Sequence, residues 1–110
     1  MNQKQNLAYD DVLLQPQYSD IKSRTEINIS TELGKGITLK LPIFASPMDT
    51  ISESSMASAM SKCGGAAIIH RYNTIQEQAK QLNKAEAPRN VGAAIGITGD
   101  YLERAAALVE

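Results

Sequence analysis

LPIFASPMDTISESSMASAMSKCGGAAIIHRYNTIQE, residues 41–77, holds one structural unit and the start of its repeat. The short apolar run 43–45 leads into Thr50-Ile-Ser-Glu53, which has capping-box form. In such a box the threonine hydroxyl accepts from the backbone N–H three residues on, while the glutamate reaches back to the cap N–H. Met56, Ala59, Met60 and Cys63 follow at the i, i+3, i+4, i+7 spacing of an apolar helix face. Gly64-Gly65 supplies a residue able to take the left-handed conformation that ends a helix. A second apolar run, 66–69, then leads to a second box, Thr74-Ile-Gln-Glu77.

The second unit continues with Ile75, Ala79 and Leu82 as its stripe, and Pro88 forbids further helix. A third copy has its strand run at 91–97, a cap at Asp100-Tyr-Leu-Glu103, and a stripe of Leu102, Ala105, Ala106 and Val109. The caps at 50, 74 and 100 are 24 and 26 residues apart. Strand, loop and helix at this spacing describe consecutive βα units. Their strands are continuous apolar runs, as parallel strands buried on both faces require.

Upstream the pattern changes. Residues 25–29 alternate in polarity, and residues 37–41 alternate again after Gly34-Lys35-Gly36. The expectation is a small antiparallel pair within an N-terminal extension, 1–40, followed by three βα units over 41–110. Val109-Glu110 carries no helix stop signal, and three units leave a parallel sheet with two bare edges. Eight such units would fill the ~250 residues of a (β/α)₈ barrel. The expected fold class is therefore α/β, as a barrel segment whose remainder lies elsewhere.

Composition narrows the function. The chain of 110 residues is 43% hydrophobic and 21% charged, with a net charge of -1. The basic residues are scattered, which gives no electrostatic reason to expect nucleic acid or a membrane as partner. No apolar run approaches the ~20 residues of a membrane span, and the polar start lacks a signal peptide's apolar core. A single cysteine, Cys63, excludes an intrachain disulfide and favours a reducing, cytoplasmic setting. On the apolar helix face it is expected to be a buried, inert thiol.

In parallel βα architectures chemistry sits in the loops at the carboxyl ends of the strands. Here these are Ser46-Pro-Met-Asp-Thr50, His70-Arg-Tyr-Asn73 and Thr98-Gly-Asp100. Ser46 and Asp49 can hydrogen-bond a ligand's hydroxyls, and Met48 offers a soft surface to a flat ring. The same residues serve equally as helix caps and core. His70, the one histidine, is either a structural hydrogen-bonder or, with Arg71, part of a site for a phosphate or an adenine face. Neither the dinucleotide glycine fingerprint nor a P-loop is present. No Cys/His cluster has zinc spacing, and Ser46 lacks a nucleophile elbow.

Four blocks, LAYDDVLLQPQYSDIKSRTEI (7–27), LPIFASPMDT (41–50), GGAAIIHRYN (64–73) and VGAAIGI (91–97), together resemble the opening of the IMP dehydrogenase/GMP reductase family in order and spacing. The resemblance covers nearly the whole chain. It implies a (β/α)₈ barrel, usually a homotetramer, acting on purine nucleotides. Dehydrogenases of the family oxidise IMP to XMP with NAD, and reductases convert GMP to IMP with NADPH. It also implies that Ser46 and Met48 line the nucleotide pocket with Asp49 supporting the loop, and that His70 and Arg71 approach the adenosine half of the cofactor. Ser23 and Arg24 match a reductase segment that contacts the cofactor of a neighbouring subunit. The family's nucleophilic cysteine, phosphate loops, flap and monovalent-cation (potassium) site lie later in its chain. No catalytic residue or metal ligand is therefore expected here, and Cys63 is not the family nucleophile. Only a loop occupies 82–91, where family dehydrogenases usually carry two CBS modules.

The leading expectation is the N-terminal part of an IMP dehydrogenase, with no turnover from these 110 residues alone. SPMDT and IIHR favour the dehydrogenase, whereas IKSR pulls toward the reductase. A small doubly wound α/β binding module with Asp49 as a regulatory carboxylate is the alternative of another class. A third is a segment that only assembles with a complementary piece.

Overall fold

The computed structural model describes residues 6–85 and 90–109. Two short 3₁₀ turns (Tyr9–Asp11 and Arg24–Glu26) precede β1 (Thr31–Gly34) and β2 (Ile37–Leu39). Then come β3 (Phe44–Ala45), α1 (Ser54–Lys62), β4 (Ala66–Ile69), α2 (Ile75–Lys84), β5 (Val91–Ala93) and α3 (Tyr101–Ala107). The strand–helix succession from residue 44 onward follows the order that the spacing implies, although β5 ends at Ala93 where the run to 97 was expected.

Strands β3, β4 and β5 form one parallel sheet in sequential order. Parallel crossovers are right-handed in nearly all proteins, so a sequential order stacks every helix on the same face. The packing agrees: α1 lies against α2, and α2 against α3. A doubly wound module needs a reversal of strand order, and none occurs among the described strands. The sheet is thus singly wound, although this chain forms no closed barrel by itself.

Register sorts the strand residues. Ala45 pairs with Ala67, Ala67 with Val91, and Ile69 with Ala93. All five face the helices, where Ala57, Ala67, Ile69 and Ala85 form the buried core with Met60 and Leu82 packed on it. Ile69 is the one large aliphatic side chain in that cluster, and its burial contributes about 2 kcal/mol. On the opposite face Phe44, Ala66, Ile68 and Gly92 meet Leu33 and Ile37 of the hairpin in a shallow apolar recess. A Cβ on Gly92 would stand 2.9 Å from Cδ1 of Ile68, so a larger residue there would displace the end of that side chain.

The antiparallel pair differs from expectation in its first strand. Gly34, Lys35 and Gly36 all have positive φ, forming a tight turn that pairs Gly34 with Ile37 and Thr31 with Leu39. A turn this short sets the register at once, and it brings 31–34, not 25–29, against β2. Residues 24–26 instead make the 3₁₀ turn capped by Ser23.

Of the three capping boxes only the middle one forms. Thr74 Oγ1 accepts from the Glu77 N–H, and the Glu77 carboxylate accepts from the Thr74 N–H. Thr50 instead takes φ +60°, its hydroxyl donates to the Asp49 carbonyl, and α1 starts only after Glu53. Asp100 does occupy the cap of α3, but its carboxylate is engaged by Arg104 and makes no cap bond.

The helix faces shift accordingly. In α1 it is Ala57 that is buried, with Met60 half-buried, while Ala59 and Cys63 are exposed. Cys63 lies at the C-cap, where the chain leaves the helix for Gly64, so it is not the buried thiol expected. In α3 the inward residues are Tyr101, Arg104, Ala105 and Leu108, whereas Leu102, Ala106 and Val109 face outward. Gly64 has φ +84° and ends α1 as expected. Pro88 lies outside the described residues; α2 is last helical at Lys84, after which Ala85 is extended.

Candidate functional site

The loop from β3 to α1 is wound tightly on itself. The Met48 N–H donates to the Ser46 carbonyl at 2.8 Å, and the Met48 carbonyl accepts from Ser52 N–H at 2.9 Å and Ile51 N–H at 3.2 Å. The Ser52 hydroxyl, fully buried, donates back to the Ser46 carbonyl. The loop so wound leaves Ser46, Met48 and Asp49 exposed. Those are the three residues predicted to meet a nucleotide.

Directly after β4, the His70 N–H donates to the Ser52 carbonyl at 3.3 Å and so ties the second loop to the first. The His70 ring is only 2% exposed. Its Nδ1 accepts from the Tyr72 N–H at 3.2 Å, which places the proton of the neutral ring on Nε2. Nε2 lies 3.6 Å from a Glu53 carboxylate oxygen and 4.0 Å from one of Asp49, and it makes no hydrogen bond. The imidazole is buried beneath two partly exposed carboxylates. Arg71 and Tyr72 are the exposed members of that loop.

Arg71 reaches toward the third loop. A Cβ on Gly96 would sit 3.1 Å from its Nη1, so glycine there leaves space for the guanidinium. Ser23 and Arg24 lie on the exposed N-terminal segment. The Ser23 hydroxyl is occupied locally, accepting from the Thr25 N–H. Among the described residues, no hydrogen bond or ion pair joins Ser23 or Arg24 to the strand ends.

Beneath the loops runs a buried polar network that sequence reasoning missed. Gln78, fully buried on α2, donates to the carbonyls of His70 at 3.0 Å and Ala94 at 2.8 Å. Its own carbonyl accepts from Arg104 Nη1 at 2.9 Å. Arg104 Nη2 donates in turn to Asp100 at 2.8 Å and to the Asn73 carbonyl at 3.2 Å. The Arg104 hydrogen bond holds the Asp100 carboxyl below its ordinary pKa. Two helices thereby grip the ends of two strands and both adjoining loops. The signal was present: Gln78 sits between Ile75 and Leu82 on the stripe facing the core, and Arg104 stands at helical spacing from Tyr101 and Leu108. A polar residue in phase with an apolar stripe demands a partner.

No group of three or more His, Cys, Asp or Glu among the described residues could hold a metal ion. No described helix is long and apolar enough to cross a membrane.

A singly wound run of βα units, with polar side chains gathered at the carboxyl ends of its strands, is the arrangement of enzymes that bind small molecules at that edge. Comparison with known proteins narrows the class. The description "IMP dehydrogenase / GMP reductase domain" belongs to a family whose model matches residues 6–110. The inosine-5'-monophosphate dehydrogenase of Nitrosopumilus maritimus is 48% identical over 91 residues, which are 83% of this chain and 19% of that protein. The GMP reductase of Leishmania donovani is 46% identical over 82 residues, 74% of this chain and 17% of that one. The crystal structure of inosine 5' monophosphate dehydrogenase from Legionella pneumophila superposes with a TM-score of 0.84 at 39% identity, covering 96% of this chain and 32% of that one. The chain belongs to the IMP dehydrogenase/GMP reductase family. It spans about a fifth of the length of the curated relatives it matches.

Proposed function

We propose that this chain supplies the opening βα units of a (β/α)₈-barrel oxidoreductase that oxidises IMP to XMP with NAD, as a cytoplasmic homotetramer. The observation that carries the reading is the wound 46–53 loop, which turns Ser46, Met48 and Asp49 outward at the carboxyl edge of the sheet. The likeness to dehydrogenases in sequence and structure supports it. Ser46 and Asp49 offer hydrogen bonds to ribose hydroxyls, and Met48 a polarizable surface for the purine.

For NAD, the exposed Arg71 and Tyr72 fit an adenosine face and its phosphate. The His70 ring, 2% exposed, fits direct contact poorly and acts on the site from behind. Arg24 and Ser23, on the exposed N-terminal segment, are assigned to the cofactor of a neighbouring subunit. NAD when bound supplies the hydride acceptor, and this chain's part is to hold the two reactants together. The nucleophile and the potassium site belong to the rest of the barrel. Reduction of GMP with NADPH is the second reading, favoured by the likeness to the Leishmania reductase.

The test grafts this segment into the Nitrosopumilus dehydrogenase in place of the matching 91 residues. In the graft, Met48→Ala is expected to raise KM for IMP roughly tenfold with KM for NAD unchanged, a loss of about 1.4 kcal/mol. Arg71→Ala is expected to do the reverse. If each substitution moves both constants alike, the division of the edge between nucleotide and cofactor is wrong.

A further inference from the structure

We infer that His70 is a positioning residue for the nucleotide loop: its buried Nε2–H anchors the Glu53 and Asp49 carboxylates and so fixes the 46–53 turn that presents Ser46 and Met48. The inference rests on the assignment of that loop to the nucleotide. Three independent features of the loop carry it.

First, the donor is open. A buried N–H without an acceptor bears the full cost of its desolvation, and folds retain such a group where an acceptor comes within reach. Glu53 at 3.6 Å and Asp49 at 4.0 Å are the carboxylates facing Nε2. A closure of under about 1 Å brings Glu53 to the length of a charge-assisted hydrogen bond. The rest of the ring is already committed: Nδ1 is held by the Tyr72 N–H, and the Tyr72 ring stacks at 6.1 Å.

Second, the turn needs holding. Thr50 is β-branched and sits at φ +60°, a conformation such residues rarely adopt unless the surroundings impose it. Asp49 and Glu53 bracket Thr50 in sequence, so one imidazole facing both spans the strained residue. Third, His70 already grips this loop through its main chain, at the Ser52 carbonyl. Main chain and side chain of one residue therefore hold the turn at Ser52 and at its two carboxylates. The ring is too buried to touch substrate, so its effect passes through the loop.

Two substitutions separate this role from simple packing. His70→Asn keeps an acceptor where Nδ1 meets the Tyr72 N–H but has nothing at Nε2, whereas His70→Gln returns a donor near Nε2. In the graft, His70→Asn is expected to raise KM for IMP roughly tenfold while kcat and KM for NAD stay within about twofold. His70→Gln should recover most of that loss. An unchanged KM in His70→Asn, or a His70→Gln no better than His70→Asn, overturns the inference and leaves the proposed function standing. A graft that binds and turns over no IMP overturns the proposed function instead. The positioning of a nucleotide falls with it, and the hold of His70 on the turn is then decided by the imidazole nitrogen shifts of the 110-residue chain. An Nε2-protonated ring whose shifts move in Glu53→Gln or Asp49→Asn supports it. An Nδ1-protonated ring, or one indifferent to both substitutions, overturns it.

Discussion

Gln78 shows how much one side chain can organise. Its amide joins the carbonyl ends of β4 and β5 and neutralises nothing, yet it gives the buried Arg104 a hydrogen-bond acceptor beneath the loops. Gln78→Leu keeps the volume but strands two carbonyls and one guanidinium N–H. It should cost about 3 kcal/mol, because breaking a buried network from one side leaves uncompensated polar groups. Chemical denaturation would measure this, and a loss under about 1 kcal/mol would mean that the network is open to water. At this scale the sequence was only partly legible. The place of Ser46, Met48 and Asp49 in an exposed loop was legible because that loop follows an apolar strand run. Gln78 and Arg104 were passed over because an apolar stripe averages over its members, and Glu53 because it was taken for half of a cap.

Elements follow local chemistry only where the backbone permits it. Thr74 is extended and its box closes, whereas Thr50 is left-handed and cannot place its hydroxyl over the first turn of α1. The same kind of four-residue pattern gives one closed capping box in three, although strand and helix order remain readable from spacing. Thr74→Ala should lower stability by about 1 kcal/mol through the lost cap. The box also has a pH signature. The Thr74 N–H and hydroxyl hold the Glu77 carboxyl below its usual range. A folded-state pKa depressed in this way contributes stability above the unfolded value of about 4.3 and loses it as pH falls through the folded value. The stability difference between the parent and Glu77→Gln should accordingly shrink between pH 7 and pH 3 in thermal unfolding. A constant difference would show that the carboxylate does not act as an ionised cap.

Considered whole, the molecule is far from a compact ball. Its radius of gyration is 18.3 Å, against about 13 Å for a globular domain near this length. Leu13, Leu14 and Tyr18 on the N-terminal segment are each at least 95% exposed. Phe44 and Ile68 line a sheet face that carries no helix among the described residues. A singly wound sheet has its helices on one side, and in the proposed barrel further strands would curl round to meet its other face. That geometry joins the fold to the proposed function, since a closing barrel would bring more loops to the edge where Ser46, Met48 and Arg71 stand. The spacing of βα units was enough to read the winding, but the hairpin register was not, because three consecutive left-handed residues at 34–36 set it. The most direct measurement is the steady-state rate of IMP-dependent NADH formation by the Nitrosopumilus dehydrogenase carrying this segment. The expected kcat/KM for IMP is within about tenfold of the parent enzyme, a transition-state loss of no more than about 1.4 kcal/mol. A correctly assembled graft with no NADH formation would contradict it.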